Sequence, residues 1–428
     1  MYLPWEKYSH SEVFASRIAE LYGPGEARLE QQRSRYADLI ERWHRRFGTP
    51  GEGLMFFSAP GRTEIGGNHT DHNNGRVLAA AVNLDTVAAV RAREDMTIIV
   101  DSEGYPAIEI DCSDTSVHPE ETGTTAALIR GTAGAMKELG YAIGGFEAVL
   151  TSSVLSGSGL SSSAAFEVLI CAILDGLYNG FVIDPQLRAV IAQKVENVWF
   201  GKPCGLMDQM ACSVGGLVTI DFEKPEARVR ALSFDFEAVG YALCIVNTGG
   251  SHDDLTEDYA AIRREMESVA AQFGRRVLRD LPEEEFNRRC CALRSVVGDR
   301  ALLRAMHYYD ENKRVDGQVE ALERGDLHRF FDEVNASGNS SWKLLQNVHT
   351  NSPQEAMAFG IELTRRFLNG RGATRVHGGG FAGTIQAYVP LAVLERYREL
   401  MESAFGRGSC TVVNIRPEGA VMMNLDKA

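Results

Sequence analysis

The sequence lacks the features that mark several broad classes of protein. No apolar run reaches the roughly 18 residues that a membrane-spanning helix needs, and the N-terminal segment MYLPWEKYSHSEVF mixes charged with apolar residues, unlike a signal peptide. The eight cysteines form no CxxC pair, so a disulfide framework, a zinc knuckle and a dithiol redox centre are all disfavoured. We therefore expect a cytoplasmic protein with reduced thiols.

Basic residues are scarce relative to acidic ones. The chain of 428 residues carries 44 Lys and Arg against 58 Asp and Glu, which gives a formal charge of −14. Such an excess of negative charge repels nucleic acids and anionic membranes, so neither is an expected partner. The chain is long enough for two or three domains, and at 44% hydrophobic residues it can bury substantial cores.

Periodicity predicts a helical N-terminal segment followed by mixed strands and helices. Residues 7–48 place apolar residues at helical spacing, with a break at Gly23-Pro24-Gly25. From residue 55 four short β-like runs follow, LMFFSAP, RVLAAAV, TVAAVRAR and MTIIVDS, each predicted as a separate strand. The C-terminal part combines long charged helices over 255–345 with a final region rich in strands.

Strands and helices are mixed in both halves of the chain, which favours an α+β fold. No repeat or linker marks a boundary. We predict two domains, 1–215 and 216–428.

A loop of small residues lies between a predicted strand and the apolar helix AAFEVLICAILDGLY. It consists of Gly157, Ser158, Gly159, Leu160, Ser161, Ser162 and Ser163. Backbone N–H groups and hydroxyls at a helix N-terminus can hold phosphate. The sequence has no GxxxxGK[ST] motif, and Ser162 replaces the third glycine of the dinucleotide fingerprint, so neither a Walker A loop nor a dinucleotide site is predicted. A capped turn without a ligand is the alternative.

Polar residues are concentrated in PGRTEIGGNHTDHNNG, which begins at Pro60. A plain hairpin does not need so many polar groups. His69, Asp71 and His72 match the latter part of the HxHxDH pattern of metallohydrolases, although the first histidine of that pattern falls on Gly67. A hydrolytic metal site is therefore one alternative, and polar side chains that only cap loops are another.

Two further features could contribute to a site. Asp208 follows Glu196 in ENVWFGKPCGLMDQM, where the surrounding residues are mostly small and apolar. A carboxylate in such a place is a candidate general base or metal ligand, although a turn-forming aspartate is the alternative. A glycine run, Gly378 to Gly380, follows His377 and could form only a tight turn.

Taken in order, four segments resemble the GHMP small-molecule kinases, and specifically the galactokinase group. They are PGRTEIGGNHTDHNNG, LSGSGLSSSAAFE, CGLMDQM and GGGFAG. The resemblance implies a two-domain α+β fold with the active site in the cleft between the domains. It also implies a kinase that uses ATP and Mg²⁺ to phosphorylate the anomeric hydroxyl of galactose or a close relative.

The resemblance assigns a role to each matching residue. Asp208 matches the acid that takes the proton of the sugar hydroxyl, and Arg62 matches the cation beside it. The loop from Gly157 to Ser163 matches the segment that holds the ATP phosphates. Ser163 and Glu196 match the Mg²⁺ ligands, which suits a hard cation that prefers oxygen. The residues that match sugar contacts are Asn68, His69, Asp71 and Tyr259.

Departures from the family pattern concern the sugar. Galactokinases have GEHTDY where this chain has GNHTDH, so Asn68 replaces the acid that binds the C6 hydroxyl and His72 replaces a tyrosine. A neutral Asn68 would tolerate a C6 carboxylate, so a galacturonate kinase is an alternative. A catalytically silent sugar-binding protein is another, although Ser163-Ala164, which the non-enzymatic yeast sensor lacks, is present here.

Overall fold

The structure is a computed structural model that describes residues 5–49, 53–154, 159–223, 226–249, 256–349, 355–381 and 383–424. The helices are α1 (Trp5–Tyr8), α2 (Glu12–Tyr22), α3 (Glu26–Phe47), α4 (Thr125–Glu138), α5 (Ser162–Tyr178), α6 (Pro185–Val198), α7 (Met207–Val214), α8 (Thr256–Ala271), α9 (Glu283–Val297), α10 (Asp299–Arg324), α11 (Leu327–Ser340), α12 (Ala356–Leu368) and α13 (Leu394–Phe405). The strands are β1 (Met55–Gly66), β2 (Arg76–Ala92), β3 (Thr97–Ser102), β4 (Ile108–Asp111), β5 (Phe146–Ser152), β6 (Leu217–Asp221), β7 (Arg228–Leu232), β8 (Tyr241–Asn247), β9 (Ala373–Val376), β10 (Thr384–Pro390), β11 (Cys410–Val413) and β12 (Val421–Asn424).

The larger sheet has the strand order β12-β1-β2-β5-β3-β4. Strand β6 pairs with the first residues of β2, and β7 pairs with β6. Most neighbouring strands are antiparallel, but β3 and β5 run parallel. That pair is joined by a connection that includes α4, as a parallel pair requires.

Side chains of the larger sheet alternate between two helical layers, because successive residues of a strand point to opposite faces. Phe57 packs in the core formed with α4, α5 and α6, whereas Phe56 joins the core formed with the N-terminal helices α1 to α3. On β5, Leu150 packs in the core with α4, α5 and α6, and Val149 packs in the core with the N-terminal helices. The helix α5 is apolar on most sides because it is enclosed by the sheet and its neighbouring helices.

The smaller sheet has the order β11-β8-β10-β9. One face, with Val246 and Ile385, packs on α12 and α13. The other face, with Ile245 and Tyr388, packs on α10 and α11 in a core that also includes Ile65 of β1. The two sheets therefore meet across a shared core close to the end of β1.

The predicted α+β class and the helical N-terminal segment are confirmed, while two expectations are wrong in detail. RVLAAAV and TVAAVRAR belong to a single strand, β2, because the polar residues between them lie inside it. Asp85 there is fully buried and is neutralised by Arg35 and Arg416 from distant parts of the chain. The final region contains a helix, α13, that the pattern did not indicate.

The division into 1–215 and 216–428 stays a prediction. Strands β6, β7 and β12 follow residue 215 yet belong to the larger sheet, so that sheet draws on both predicted segments. All eight cysteines are free, and most of them are buried. None of the helices in the described ranges combines the length and the apolar character that crossing a membrane requires.

Candidate active site

The centre of the site is a carboxylate held by a guanidinium and a hydroxyl. Arg62 on β1 donates from Nε to Asp208 Oδ1 at 2.7 Å and from Nη2 to Asp208 Oδ2 at 2.6 Å. Ser161 Oγ donates to the same Oδ2 at 2.7 Å. Asp208 lies in the first turn of α7, where the helix dipole favours a negative charge. A carboxylate has about four lone-pair positions, so Oδ1 retains one for another donor.

The charge state of Asp208 follows from its neighbours. Burial alone would raise the pKa of this carboxyl, but the adjacent guanidinium of Arg62 and the hydroxyl of Ser161 outweigh burial, and the pKa is lowered. Arg62 is buried and its own pKa is raised, since the carboxylate of Asp208 more than offsets the cost of burial. Asp208 is therefore ionised at neutral pH and can accept a proton.

The small-residue loop runs directly beside this ion pair. Arg62 Nη1 donates to the carbonyl oxygen of Gly159, and the Arg62 N–H donates to the Leu160 carbonyl at 2.9 Å. Gly159 has φ of 72°, and a Cβ there would approach Thr384 Oγ1 to 2.4 Å, so the loop needs glycine at this position. The predicted residues Gly157 and Ser158 lie outside the described residues.

Among the described residues, the N-cap side chain of α5 makes no hydrogen bond to the first N–H groups of the helix. Ser161 is the residue before the helix, and its hydroxyl is used by Asp208 and caps no N–H group of α5. Ser162 and Ser163 form the first turn. Uncapped N–H groups and the partial positive charge of the helix end are the elements that hold phosphate in proteins.

A small pocket of about 120 Å³ connects the helix start with the acids. Its lining residues are Asp71, Ser163, Glu196, Lys202, Cys204, Gly205, Asp208 and Gln209. Glu196 lies near the end of α6 and is almost fully buried. The pocket therefore brings together Ser163, Glu196 and Asp208, which are far apart in the sequence.

The donors of this pocket suit a magnesium ion. Ser163 and Glu196 supply a hydroxyl and a carboxylate, and both are hard oxygen ligands of the kind Mg²⁺ takes alongside water and phosphate oxygens. No group of three or more His, Cys, Asp or Glu in the described residues is arranged to hold a metal ion. A site with few protein ligands matches an ion that arrives with a nucleotide better than a resident transition metal.

Glu167 is a second buried carboxyl behind this pocket. Gln209 Nε2 donates to Glu167 Oε2 at 3.1 Å and to Glu196 Oε2 at 2.8 Å, so one carboxamide bridges the two acids. Glu167 is fully buried, and among the described residues its Oε1 has no hydrogen-bond partner. Burial and the nearby carboxylate of Glu196 raise the pKa of Glu167 to about 9.

The polar segment after β1 forms the other side of the site. His69 Nε2 bonds the Gly379 carbonyl at 2.8 Å, and its ring lies 6.3 Å from that of Tyr259, nearly parallel to it. Tyr259 donates to the Gly380 carbonyl at 2.9 Å. The glycine run is thus held against both residues. Burial lowers the pKa of His69 to about 4, so its ring is neutral at pH 7 and Nε2 is the donor.

Asp71 lies between this segment and the pocket. Its Oδ1 accepts the backbone N–H of His72 at 2.9 Å, and it contributes to the pocket lining with Asp208. Burial raises the pKa of Asp71 to about 6. A Cβ at Gly205 would approach Asp71 Oδ2 to 1.8 Å, so the absence of a side chain there makes room for the carboxylate.

Asn68 is fully buried, and protein groups occupy its whole carboxamide. Nδ2 donates to Glu64 Oε1 at 3.0 Å and to the Gly378 carbonyl at 2.7 Å. Oδ1 accepts from Ser341 Oγ at 3.2 Å and from Asn347 Nδ2 at 2.8 Å. A sugar would have to replace one of these bonds, so direct contact with Asn68 stays a prediction.

The alternative of a hydrolytic metal site at His69, Asp71 and His72 is not supported. The rings of His69 and His72 are 5.9 Å apart, but His69 bonds a carbonyl and His72 Nδ1 accepts from Asn73 Nδ2 at 2.9 Å. One nitrogen of each ring is engaged by a different protein group, and the described residues contain no metal-binding group of three.

Sequence reasoning did not find Glu167, Lys202, Gly205 or Gln209 in this site. Glu167 had a usable signal, because it is one of two acids in an apolar helix and lies one turn after Ser163, on the same helix face. Lys202 and Gly205 carried no such signal, since only the fold of the loop after α6 brings them into the pocket.

Comparison with protein families agrees with this geometry. Residues 41–92 match the galactokinase galactose-binding signature, and residues 127–216 match the N-terminal domain of GHMP kinases. A galactokinase of Streptomyces coelicolor is 32% identical over 370 residues, which cover 85% of this chain and 92% of that protein. The chain belongs to the galactokinase family. A galactokinase of Mannheimia succiniciproducens is 30% identical over 347 residues, covering 80% of the chain and 87% of the relative.

Solved structures support the same fold. Lactococcus lactis galactokinase complexed with galactose has a TM-score of 0.77 at 24% identity, covering 90% of this chain and 99% of that one. Methanococcus jannaschii mevalonate kinase has a TM-score of 0.60 at 18% identity, covering 88% and 100%. The family, the α+β GHMP-kinase fold and an ATP-dependent sugar kinase of the galactokinase type are confirmed as predicted.

Proposed function

We propose that this member of the galactokinase family transfers the γ-phosphate of ATP to the anomeric hydroxyl of galactose or a close relative. The observation that carries the proposal is the Arg62–Asp208–Ser161 arrangement, which lies beside the start of α5 and shares a pocket with Ser163 and Glu196. The polar signature segment adjoins it through Asp71. These are the parts that phosphoryl transfer needs: a phosphate cradle, a cation, a metal ligand and an acceptor base.

Asp208 is the proposed base. Arg62 and Ser161 engage both oxygens of its carboxylate, and these bonds leave one lone-pair position of Oδ1 for a further donor. A sugar hydroxyl placed there would lose its proton to Oδ1 as its oxygen attacks the γ-phosphorus of ATP, while the bond from that phosphorus to the β-phosphate oxygen breaks and ADP leaves. Arg62 keeps the carboxylate ionised in the resting site and stabilises negative charge as it grows on the transferred group.

The loop and the helix start are proposed to hold the triphosphate. The predicted segment from Gly157 to Ser163 includes Ser162 and Ser163, whose N–H groups begin α5. Ser163 and Glu196 would hold Mg²⁺, which neutralises phosphate charge when bound. Glu196 would be kept in place by the amide of Gln209.

The sugar is proposed to lie against His69, Asp71 and Tyr259. His69 and Tyr259 present polar rings, and the half-buried Asp71 provides an acceptor close to Asp208. Asn68 is the predicted fourth contact, and its carboxamide anchors this segment to Gly378. Because position 68 is neutral, a C6 carboxylate is not excluded by charge, so galacturonate remains the second candidate substrate.

A sugar panel tests the proposal. ADP release is measured with galactose, galacturonate, N-acetylgalactosamine, arabinose and glucose, and phosphorus NMR identifies the product. We expect Mg²⁺-dependent ADP release with galactose and a phosphate on the anomeric oxygen. A clear preference for galacturonate would select the second candidate. Sugar binding without ADP release from any member would show a silent sugar-binding protein. A cytoplasmic location and the absence of an obligate protein partner stay predictions.

A further inference from the structure

Lys202 is a cation of the pocket that has no role in the phosphoryl transfer proposed for Asp208 and Arg62. It lies in the loop after α6, and its backbone N–H donates to the Glu196 carbonyl at 3.0 Å. Its Nζ lies 3.3 Å from Glu196 Oε1, while 64% of the side chain is exposed. The loop is therefore fixed next to the proposed metal ligand, and the long side chain retains the freedom to turn toward another anion.

The charges around this pocket are unbalanced. Asp71, Glu196 and Asp208 contribute carboxyl groups to the lining, and Lys202 is the only cation among the described residues that line it. Arg62 lies next to them, but Nε and Nη2 are committed to Asp208 and Nη1 to the Gly159 carbonyl. A triphosphate that enters this pocket meets several acids, so it needs a cation that can exchange its present partner for phosphate.

We propose that Lys202 contacts the terminal phosphate of ATP, so that it is a further catalytic residue of the kinase. The proposal rests on the proposed function, because it takes ATP as the ligand. When nucleotide enters with its metal ion, Nζ would leave Glu196 for the phosphate oxygens and free Glu196 to act as a metal ligand. A lysine suits this exchange because its ammonium is a compact charge with three donors on a flexible stem.

A simpler role has a different signature. If Lys202 only neutralises Glu196, its loss would leave the Glu196 carboxylate without a cation. The Kd of the Mg²⁺-bound nucleotide would then change by the same factor for two phosphates and for three. If Lys202 holds the terminal phosphate, its loss weakens a ligand with three phosphates and spares one with two. Comparing the two nucleotides therefore separates the roles.

The test uses the full-length protein with Lys202→Met, Lys202→Arg and the matched control Lys194→Met. Lys194 is an exposed lysine on α6 that pairs with Glu138 away from the pocket. Calorimetry measures the Kd of the non-hydrolysable analogue AMP-PNP and of ADP, both with saturating Mg²⁺. Because neither ligand turns over, the readout does not depend on kinase activity.

We expect Lys202→Met to weaken AMP-PNP binding by about tenfold, the effect of losing one hydrogen bond to a charged group. Its ADP binding should stay within about twofold of wild type, which is small against that loss. Lys202→Arg should recover most of the AMP-PNP affinity, and Lys194→Met should match wild type. Equal losses for both nucleotides, or no loss for AMP-PNP, would overturn the proposal. Wild-type protein that binds neither nucleotide would instead refute the proposed function.

Discussion

Glu167 gives the most quantitative prediction, because a buried carboxyl with a raised pKa makes stability depend on pH. The ordinary pKa is 4.5, and in the folded protein it is raised to about 9. Between these values the folded state keeps a proton that the unfolded state has lost. Stability from this group is therefore fully present below the unfolded pKa and is lost as the pH rises through the folded pKa.

One pKa unit corresponds to about 1.4 kcal/mol. From pH 5 to pH 8, Glu167 should lower the free energy of unfolding by about 4 kcal/mol, a large part of the total for a typical domain. Glutamine is similar in shape to glutamic acid and has no proton to lose, so Glu167→Gln removes this pH-dependent contribution to the free energy of unfolding. Its amide can still accept from Gln209, which now holds the carboxyl at 3.1 Å.

The assay is urea unfolding of wild type and Glu167→Gln at pH 5 and pH 8, with a chelator and without nucleotide. Glu94→Gln, at an exposed position, controls for the substitution itself. From pH 5 to pH 8, we expect the free energy of unfolding of Glu167→Gln to rise by about 4 kcal/mol relative to that of wild type. Identical pH dependence in wild type and Glu167→Gln would refute the reasoning.

Two further predictions concern the metal and the sugar. Glu196→Gln should raise the Mg²⁺ concentration needed for half-maximal rate, because an amide oxygen is a poorer ligand for this ion than a carboxylate; an unchanged titration would show that Glu196 is not a ligand. Gly205→Ala should raise the KM for sugar more than that for ATP. The added methyl group would lie 1.8 Å from Asp71 Oδ2 and would therefore displace the Asp71 carboxylate. An unchanged KM for sugar would show that Asp71 does not contact the sugar.

Local patterns predicted the elements whose causes are local. The helical spacing before residue 48, the break at Gly23-Pro24-Gly25 and the apolar helix α5 all appear in the structure. The continuity of β2 could not be predicted, because Asp85 in its middle is neutralised by Arg35 and Arg416, 50 and 331 residues away. Only the folded chain brings those guanidinium groups to the strand.

The site shows the same division between local and distant information. The pairing of Arg62 with Asp208 came from resemblance to a family, since the two residues are 146 positions apart. Asn68 shows what resemblance leaves out. Its bonds to Glu64, Gly378, Ser341 and Asn347 depend on residues from several elements, and they make it a structural anchor whether or not it also meets the sugar.

The most direct test of the account is the rate of phosphate transfer by Asp208→Asn. The amide keeps the shape of the side chain but cannot take the proton of the sugar hydroxyl, so kcat for galactose should fall by about 10²- to 10⁴-fold while AMP-PNP still binds. Ser161→Ala removes one hydrogen bond to the carboxylate and leaves the base, so it should lose far less. An Asp208→Asn variant with kcat close to wild type would contradict the central claim that this carboxylate is the base.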